Sequence, residues 1–407
     1  MPARSREQAG GRTLNARWAM VFLLTAGLLA PLPAQARSYY CFGKKATMVG
    51  TSGSDELKGT PGPDVIVGLG AADHISGRHG RDRICAGRGS STEGGGYEFV
   101  GGDDGDDLIS GGPGAETLEG GGGDDIVRGG PGWDDVHGGL TPGDDRLFGG
   151  AGADYMTGGP GSDALIGGGQ ADLLVPGEGN DRLRGGSNGR PGFRSRRAAY
   201  RNGGDWLDYS RADVPIRVDL SEHLAVGLGR DNIRGIENVS GPDELNILRG
   251  DHKSNILQGG FYEDRLYGAG GSDCFDGHVG GDEVHGGPGI DFYASDPLDL
   301  CHPTDPELVY PGPGGPGEKI DLSAGTATDN DDIDLLYGIE GAFGGDGQDE
   351  IIGDEGANFL YGQVGSDILR GLGGDDFLDG GVAVDAVDGG PDIDECVRAE
   401  SQVDCEE

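Results

Sequence analysis

Aromatic residues make up only 6% of this 407-residue chain, and hydrophobic residues of all kinds only 34%. So little apolar matter does not build one large globular core in a chain of this length. Positive charge is scarce as well: 31 Lys and Arg stand against 71 Asp and Glu, a formal net charge of −40. That imbalance excludes nucleic acid and anionic membrane surfaces as partners and favours cations. Beyond the first 36 residues no apolar run is long enough to cross a bilayer, so no membrane insertion is expected. No CxxC or HExxH occurs, which argues against a thiolate zinc centre and a zinc protease. A lipase nucleophile elbow is not expected either. What the chain has in excess is 87 Gly and 21 Pro, together about 27%, a level that reads as low complexity unless it is periodic.

The two ends point outside the cell. Arg4, Arg6, Arg12 and Arg17 precede the apolar stretch Trp18–Ala30, and Ala34-Gln35-Ala36 supplies an A-x-A site. This is the pattern of a cleaved secretory signal, so secretion with cleavage near Ala36 is expected. Removing residues 1–36 takes away four Arg and one Glu, a change of −3 that leaves −43. Six cysteines follow the signal: Cys41, Cys85, Cys274, Cys301, Cys396 and Cys405. An even number in an exported chain implies disulfides. Proximity in sequence favours Cys41–Cys85, Cys274–Cys301 and Cys396–Cys405 among fifteen possible pairings.

Periodicity is present and strict. Frames of nine read Gly-Gly-x-Gly-x-Asp-x-(apolar)-x, as in Gly120–Arg128, Gly129–His137, Gly149–Thr157 and Gly158–Ile166. Roughly two dozen such frames cover about two-thirds of the mature chain. Four run from Gly50 to Cys85, and a second block from Gly102 to about Arg184 contains the stretched copy Gly138–Phe148. A third runs Gly241–Ala294 and a fourth from Gly344 to about Val397. The eighth position is apolar throughout, for example Leu57, Ile66, Ile75, Ile109, Leu147, Met156, Leu165, Leu257 and Leu369. The expected segmentation is 1–36 signal, 37–101 N-terminal repeats and linker, and 102–186 main roll. A basic loop and strand-rich elaboration follow at 187–240, then repeats at 241–294. A Pro-rich insertion with a second elaboration spans 295–343, and 344–407 holds the last repeats and the disulfide tail.

The two elaborations resemble each other. Asp205–Tyr209, Val218–Ser221 and Ile236–Val239 match Asp291–Tyr293, Ile320–Ser323 and Ile339–Gly341, and alternating polarity predicts extra strands there. The Arg-rich stretch Ser187–Asn202 and the Pro-rich stretch Ser295–Lys319 are expected to be exposed loops.

Physical chemistry turns the frame into a fold and a binding site. Glycines at positions 1, 2 and 4 allow a six-residue turn. The last three residues form a strand whose middle side chain faces inward. Two frames complete one coil, so each turn stacks on the turn 18 residues away. The fold expected is all-β, a parallel β-roll or β-solenoid. Position-6 carboxylates then stack at short range and repel unless a cation lies between them. Ca²⁺ suits such a site, taking six or more carboxylate and carbonyl oxygens, better than Mg²⁺ does.

The candidate metal ligands are Asp55, Asp64, Asp73, Asp82, Asp107, Asp125, Asp134, Asp145, Asp154, Asp163, Asp172, Asp181, Asp264, Asp273, Asp282, Asp291, Asp349, Asp367, Asp376 and Asp385. Glu116, Asn246, Asn255 and Asn358 keep an oxygen with altered reach or charge, so weak or empty sites are expected there. Frames lacking the fourth Gly, such as those with Tyr262 and Ala383 there, are expected to be poor too. One buried aliphatic side chain per nine residues returns far less than the backbone entropy of ordering them. Folding is therefore expected to depend on calcium.

These frames resemble the hemolysin-type calcium-binding (RTX) repeat family. The run from Cys41 to Cys85 and the acidic tail closing on Cys396 and Cys405 look like secreted actinobacterial members. The resemblance implies a parallel β-roll with Ca²⁺ in the turns, held by the position-6 Asp residues. Toxin-type members usually leave through an uncleaved C-terminal signal, so a cytolytic role is not implied. The expected function is a non-enzymatic extracellular structural or adhesive protein, with calcium and cell-surface or matrix glycans or proteins as partners. The alternative is an extracellular enzyme, for instance a polysaccharide-acting one, with its site in Asp205–Asn238 or Pro297–Ile339. The acidic pair Asp103-Asp104 could mimic a glycosidase dyad, whereas His137 and His285, at position 9, are expected to face outward.

Overall fold

In an extended strand successive side chains point to opposite sides, so a frame with one apolar residue between two polar ones can bury only that one. The computed structural model describes residues 37–88, 98–187, 204–294, 317–329, 332–399 and 401–405. Among them there is no helix, and short strands stack in parallel ladders into a β-solenoid. Tyr39–Glu407 forms one compact unit.

Successive frames alternate between two stacks. One has 16 strands and runs from Glu56–Lys58 to Glu395–Val397. The other runs from Met48–Val49, paired with Val65–Gly70, to Ser401–Val403, paired with Ala386–Asp388. Register is set by the period of 18: Leu147 lies beside Leu165 and Met156 beside Leu174. The eighth-position residues meet between the stacks as one continuous core. Ile66, Ile75, Ile84, Ile109, Leu118, Leu147, Met156, Leu165 and Leu174 are fully buried. Leu57, near the N-terminal end, is only partly buried against that core.

The strands are longer than three residues in many coils. Arg146–Ala151 continues through Gly149 and Gly150 into position 3 of the next frame, with Gly150 beside Gly168 in the ladder. The turn is therefore tighter than the six residues expected. Gly150 makes this possible with a φ of 125°, and any Cβ there would lie 2.1 Å from the carbonyl oxygen of Gly130 one coil away. Only glycine tolerates both conditions.

Two disulfides anchor the ends. Cys41–Cys85 ties the short hairpin of Tyr40–Cys41 and Lys44–Lys45 to strand Arg83–Arg88. Cys396–Cys405 closes the last coil. The pairing expected for Cys301 lies outside the described residues, as do the signal segment and the Arg-rich stretch between 188 and 203.

The two elaborations are extra strands spliced into the second stack. Arg217–Asp219, Leu224–Val226 and Arg230–Arg234 pair antiparallel with one another. The last of these lies parallel to Arg182–Ser187 and the first parallel to Ile247–Arg249, so the chain steps ahead and doubles back. Lys319–Asp321, Thr326–Asp329 and Asp332–Tyr337 repeat the arrangement between Glu283–His285 and Glu350–Ile352. The Asp-Leu-Ser turns match as well: the Asp219 and Asp321 carboxylates each accept from the hydroxyl two residues on, Ser221 and Ser323.

Candidate metal centre

Position 6 sits two residues before each inward apolar side chain, at the corner where turn becomes strand. Its backbone N–H donates to a carboxylate one coil further on. Asp107 donates to Asp125 Oδ1 at 2.7 Å, Asp145 to Asp163 at 2.8 Å and Asp154 to Asp172 at 2.9 Å. The stretched frame keeps the pattern at a spacing of 20, with Asp125 donating to Asp145 and Asp134 to Asp154. In the other blocks Asp64 donates to Asp82, Asp82 to Asp107, Asp264 to Asp282, Asp273 to Asp291, Asp349 to Asp367 and Asp367 to Asp385. Each stack thus carries a ladder of carboxylates along its edge.

The first oxygen of these rungs is used in this way; in most of them the second is not. Oδ2 of Asp73, Asp82, Asp107, Asp125, Asp134, Asp154, Asp163, Asp172, Asp181, Asp264, Asp273, Asp282, Asp291, Asp349, Asp367 and Asp376 is buried and meets no donor. A buried anionic oxygen without a partner is among the costliest groups in a protein interior. Burial accordingly drives these carboxyls upward: Asp145 to about 6, Asp163 and Asp107 to about 7, Asp125 and Asp154 to about 8 and Asp172 to about 9. For Asp107, desolvation is the largest cause; the Asp82 N–H pulls the other way, and the negative charges of Asp82, Asp103 and Asp106 add to the rise.

Position 1 is glycine because the carboxylate of the same frame fills its side-chain space. A Cβ on Gly149 would sit 2.3 Å from Oδ2 of Asp154. Gly149→Ala is therefore expected to cost about 1–3 kcal/mol through overpacking and to displace that oxygen. Gly169→Ala, where nothing lies nearer than 3.9 Å, is expected to be neutral. Thermal midpoints of the two variants in calcium check the contrast.

The surroundings suit a hard divalent cation. Carbonyls of positions 2 and 4 point coil to coil; those of Gly130 and Gly132 crowd Gly150 and Gly152 of the next turn. Among the described residues no three His, Cys, Asp or Glu side chains converge on one point. The donors are one carboxylate oxygen per coil with backbone carbonyls, an all-oxygen set that fits calcium and not zinc.

Several rungs depart from the expectation. Asp55 and Asp64 find donors in their own frames at the Thr in position 2, whose N–H and hydroxyl meet Asp55 Oδ2 at 2.5 and 3.0 Å and Asp64 Oδ2 at 2.6 and 2.8 Å. Burial pushes Asp64 up, but the Thr60 and Thr47 hydrogen bonds leave it below the usual carboxylate range. The Asn rungs are closed internally too. Asn246 Nδ2 donates to the carbonyls of Pro242 and Glu244, and Asn255 Nδ2 to that of Glu237. Asp264 and Asp385, in the frames without a fourth Gly, sit on the ladder like the others: Tyr262 and Ala383 do not displace them.

Glu116 has both carboxylate oxygens buried without a donor, and so does Glu98 on the adjacent rung; burial raises them to about 9 and about 8. Glu98 falls in a stretch that reads as a break, yet it is a rung. Asp205, Asp231 and Asp334 are further rungs outside the Gly-Gly frames, and Asp394 is one in the last frame, Gly389–Val397; each accepts an N–H from the coil before, from Asp172, Asp181, Asp282 and Asp376. The signal that finds them is an acid two residues before an inward apolar side chain, here the buried Val100, Leu207, Ile233 and Leu336 and the half-buried Cys396.

Other candidates resolve into ordinary contacts. His137 and His285 face outward, bonded to Thr157 at 2.7 Å and Glu283 at 2.9 Å. Asp103 accepts from the Ser76 hydroxyl and Arg78 N–H, and Asp104 pairs with His79 at 2.7 Å. Gly185-Gly186-Ser187-Asn188-Gly189 does spell the hydrolase pentapeptide. Ser187, however, ends a roll strand, exposed, its hydroxyl 3.4 Å from the Gly168 carbonyl.

A two-stack solenoid with a buried carboxylate ladder is a calcium-type β-roll. The family model described as the RTX calcium-binding nonapeptide repeat matches residues 49–84, 58–93, 110–140, 141–174, 250–284, 258–293, 343–378 and 361–395. These spans take in just over half of the chain, and the chain belongs to that family. Its repeats bind calcium ions in multiple copies. No curated protein matches the chain significantly.

Proposed function

We propose that this is a secreted, non-enzymatic structural or adhesive protein that calcium converts from a loose chain into a rigid roll outside the cell. The observation that carries the reading is the row of buried Oδ2 atoms without donors, which divalent cations between the coils would satisfy. Asp73, Asp82, Asp107, Asp125, Asp134, Asp154, Asp163, Asp172 and Asp181 in the first two blocks would hold calcium. Asp264, Asp273, Asp282, Asp291, Asp349, Asp367 and Asp376 would do so later, with Glu98, Glu116 and Asp205 as added rungs. Calcium would supply the positive charge that stacked carboxylates need.

Secretion is supported by the signal pattern of residues 1–36 and by the disulfides at both ends, which persist in oxidising surroundings. A structural role is supported by the use of Asp205, Asp219, Asp231 and Glu237 as ladder rungs and turn acceptors. The test is a panel of extracellular glycans and matrix proteins offered to the mature protein with calcium and with chelator. Calcium-dependent retention without hydrolysis is expected; glycan cleavage at enzymatic rates would sink the non-enzymatic reading.

A further inference from the structure

The two antiparallel modules solve the carboxylate problem without a cation. In the first, Asp231 occupies a rung: Oδ1 accepts the N–H of Asp181 at 2.9 Å, and the Tyr209 hydroxyl donates to Oδ2. In the second, Asp334 Oδ1 accepts the N–H of Asp282 at 2.9 Å, and the Tyr293 hydroxyl donates to Oδ2. Both tyrosines are buried. They reach the equivalent oxygen from different backbone positions, Tyr209 two residues past the inward Leu207 and Tyr293 at the inward position itself. The same end reached by two routes marks it as a requirement of the site.

The neighbouring rungs of the other stack are altered in both modules alike. Glu237 and Glu340 accept the N–H of Asp205 and Asp291. Asn255 and Asn358 then send their side-chain amides to the carbonyls of those same glutamates, where the nonapeptide frames would need a cation. The modules are also richer in core than the frames. Ile216, Val218, Leu220, Ala225 and Ile233 are buried within 18 residues. Their strands pair with sequence neighbours, so little loop entropy opposes them.

We propose that these two tyrosine-capped modules are metal-independent folding units, which stay ordered when calcium is absent and interrupt the calcium-bound roll at two fixed levels. The proposal rests on the calcium reading of the ladder. With metal removed, the modules hold two short stretches of native register, and returning calcium extends the roll outward from them.

Hydrogen exchange on the full mature chain in excess chelator tests this. Amides of Arg217–Arg234 and of Lys319–Asp321 and Asp332–Tyr337 are expected to exchange at least about ten-fold more slowly than those of Gly102–Arg184. Equal, unprotected exchange in both regions would overturn the proposal. Calorimetric calcium titration of Asp231→Asn with Asp334→Asn is the second arm, because an amide there still bonds the tyrosine oxygen. An unchanged number of bound ions is expected, whereas Asp125→Asn loses at least one. Equal losses from the two changes would overturn the proposal. No loss from Asp125→Asn would overturn the ladder reading itself, and this inference with it.

Discussion

Excess chelator is expected to remove about two-thirds or more of the strand signal of the mature protein, and added calcium to restore it. Each nonapeptide buries one aliphatic side chain, such as Leu147 or Leu165, and fixes nine residues to do so. Backbone entropy exceeds that return. The ladder then adds a buried carboxylate oxygen without a donor in nearly every frame. Without a cation these terms all oppose the roll; with one, the carboxylates become its strongest cross-coil contacts. What persists in chelator is expected to be the two modules with Asp231 and Asp334. Circular dichroism before and after chelation measures the change, and an undiminished strand signal would contradict it.

Acid is expected to replace calcium in part. In the metal-free roll Asp107 and Asp163 titrate at about 7 and Asp154 at about 8, against 3.8 for the ordinary carboxyl, because burial disfavours the charged form. A folded-state pKa above the unfolded one means that the folded chain binds more protons. The metal-free roll is thus most stable below about pH 4 and loses stability as pH rises through 4 to 8. For Asp145, raised to about 6, the loss is on the order of 3 kcal/mol at neutral pH. A few such rungs exceed the whole stability of an ordinary domain, about 5–15 kcal/mol. In chelator, strand content at pH 4.5 is therefore expected to exceed that at pH 8 clearly, and calcium to abolish the difference. A pH-independent spectrum in chelator would show that these carboxylates are not buried without cations.

The fold was legible because one short phrase carries it. Gly149, Gly150, Gly152, Asp154 and Met156 each have a single structural duty, and the period of nine fixes register as soon as two frames make a coil. The candidate ladder was legible for the same reason wherever the glycines are present. Rungs without them were not. Glu98, Asp205, Asp231 and Asp334 lie in segments where other turns lead the chain to the same corner, so only the buried residue two positions on betrays them. The roles of Thr51 and Thr60 were hidden differently. A threonine at position 2 looks like a lost glycine, and only the geometry shows its N–H meeting the carboxylate. Tyr209 and Tyr293 occupy different frame positions, so aligning the two elaborations could not reveal that both hydroxyls serve one purpose.

The measurement that reaches the central claim most directly is a calorimetric calcium titration of the chelated mature protein, followed in parallel by circular dichroism. Many ions are predicted to bind cooperatively, with heat and strand content rising together over the same calcium range. Binding of fewer than about two ions, or strand content complete before any ion binds, would contradict the account.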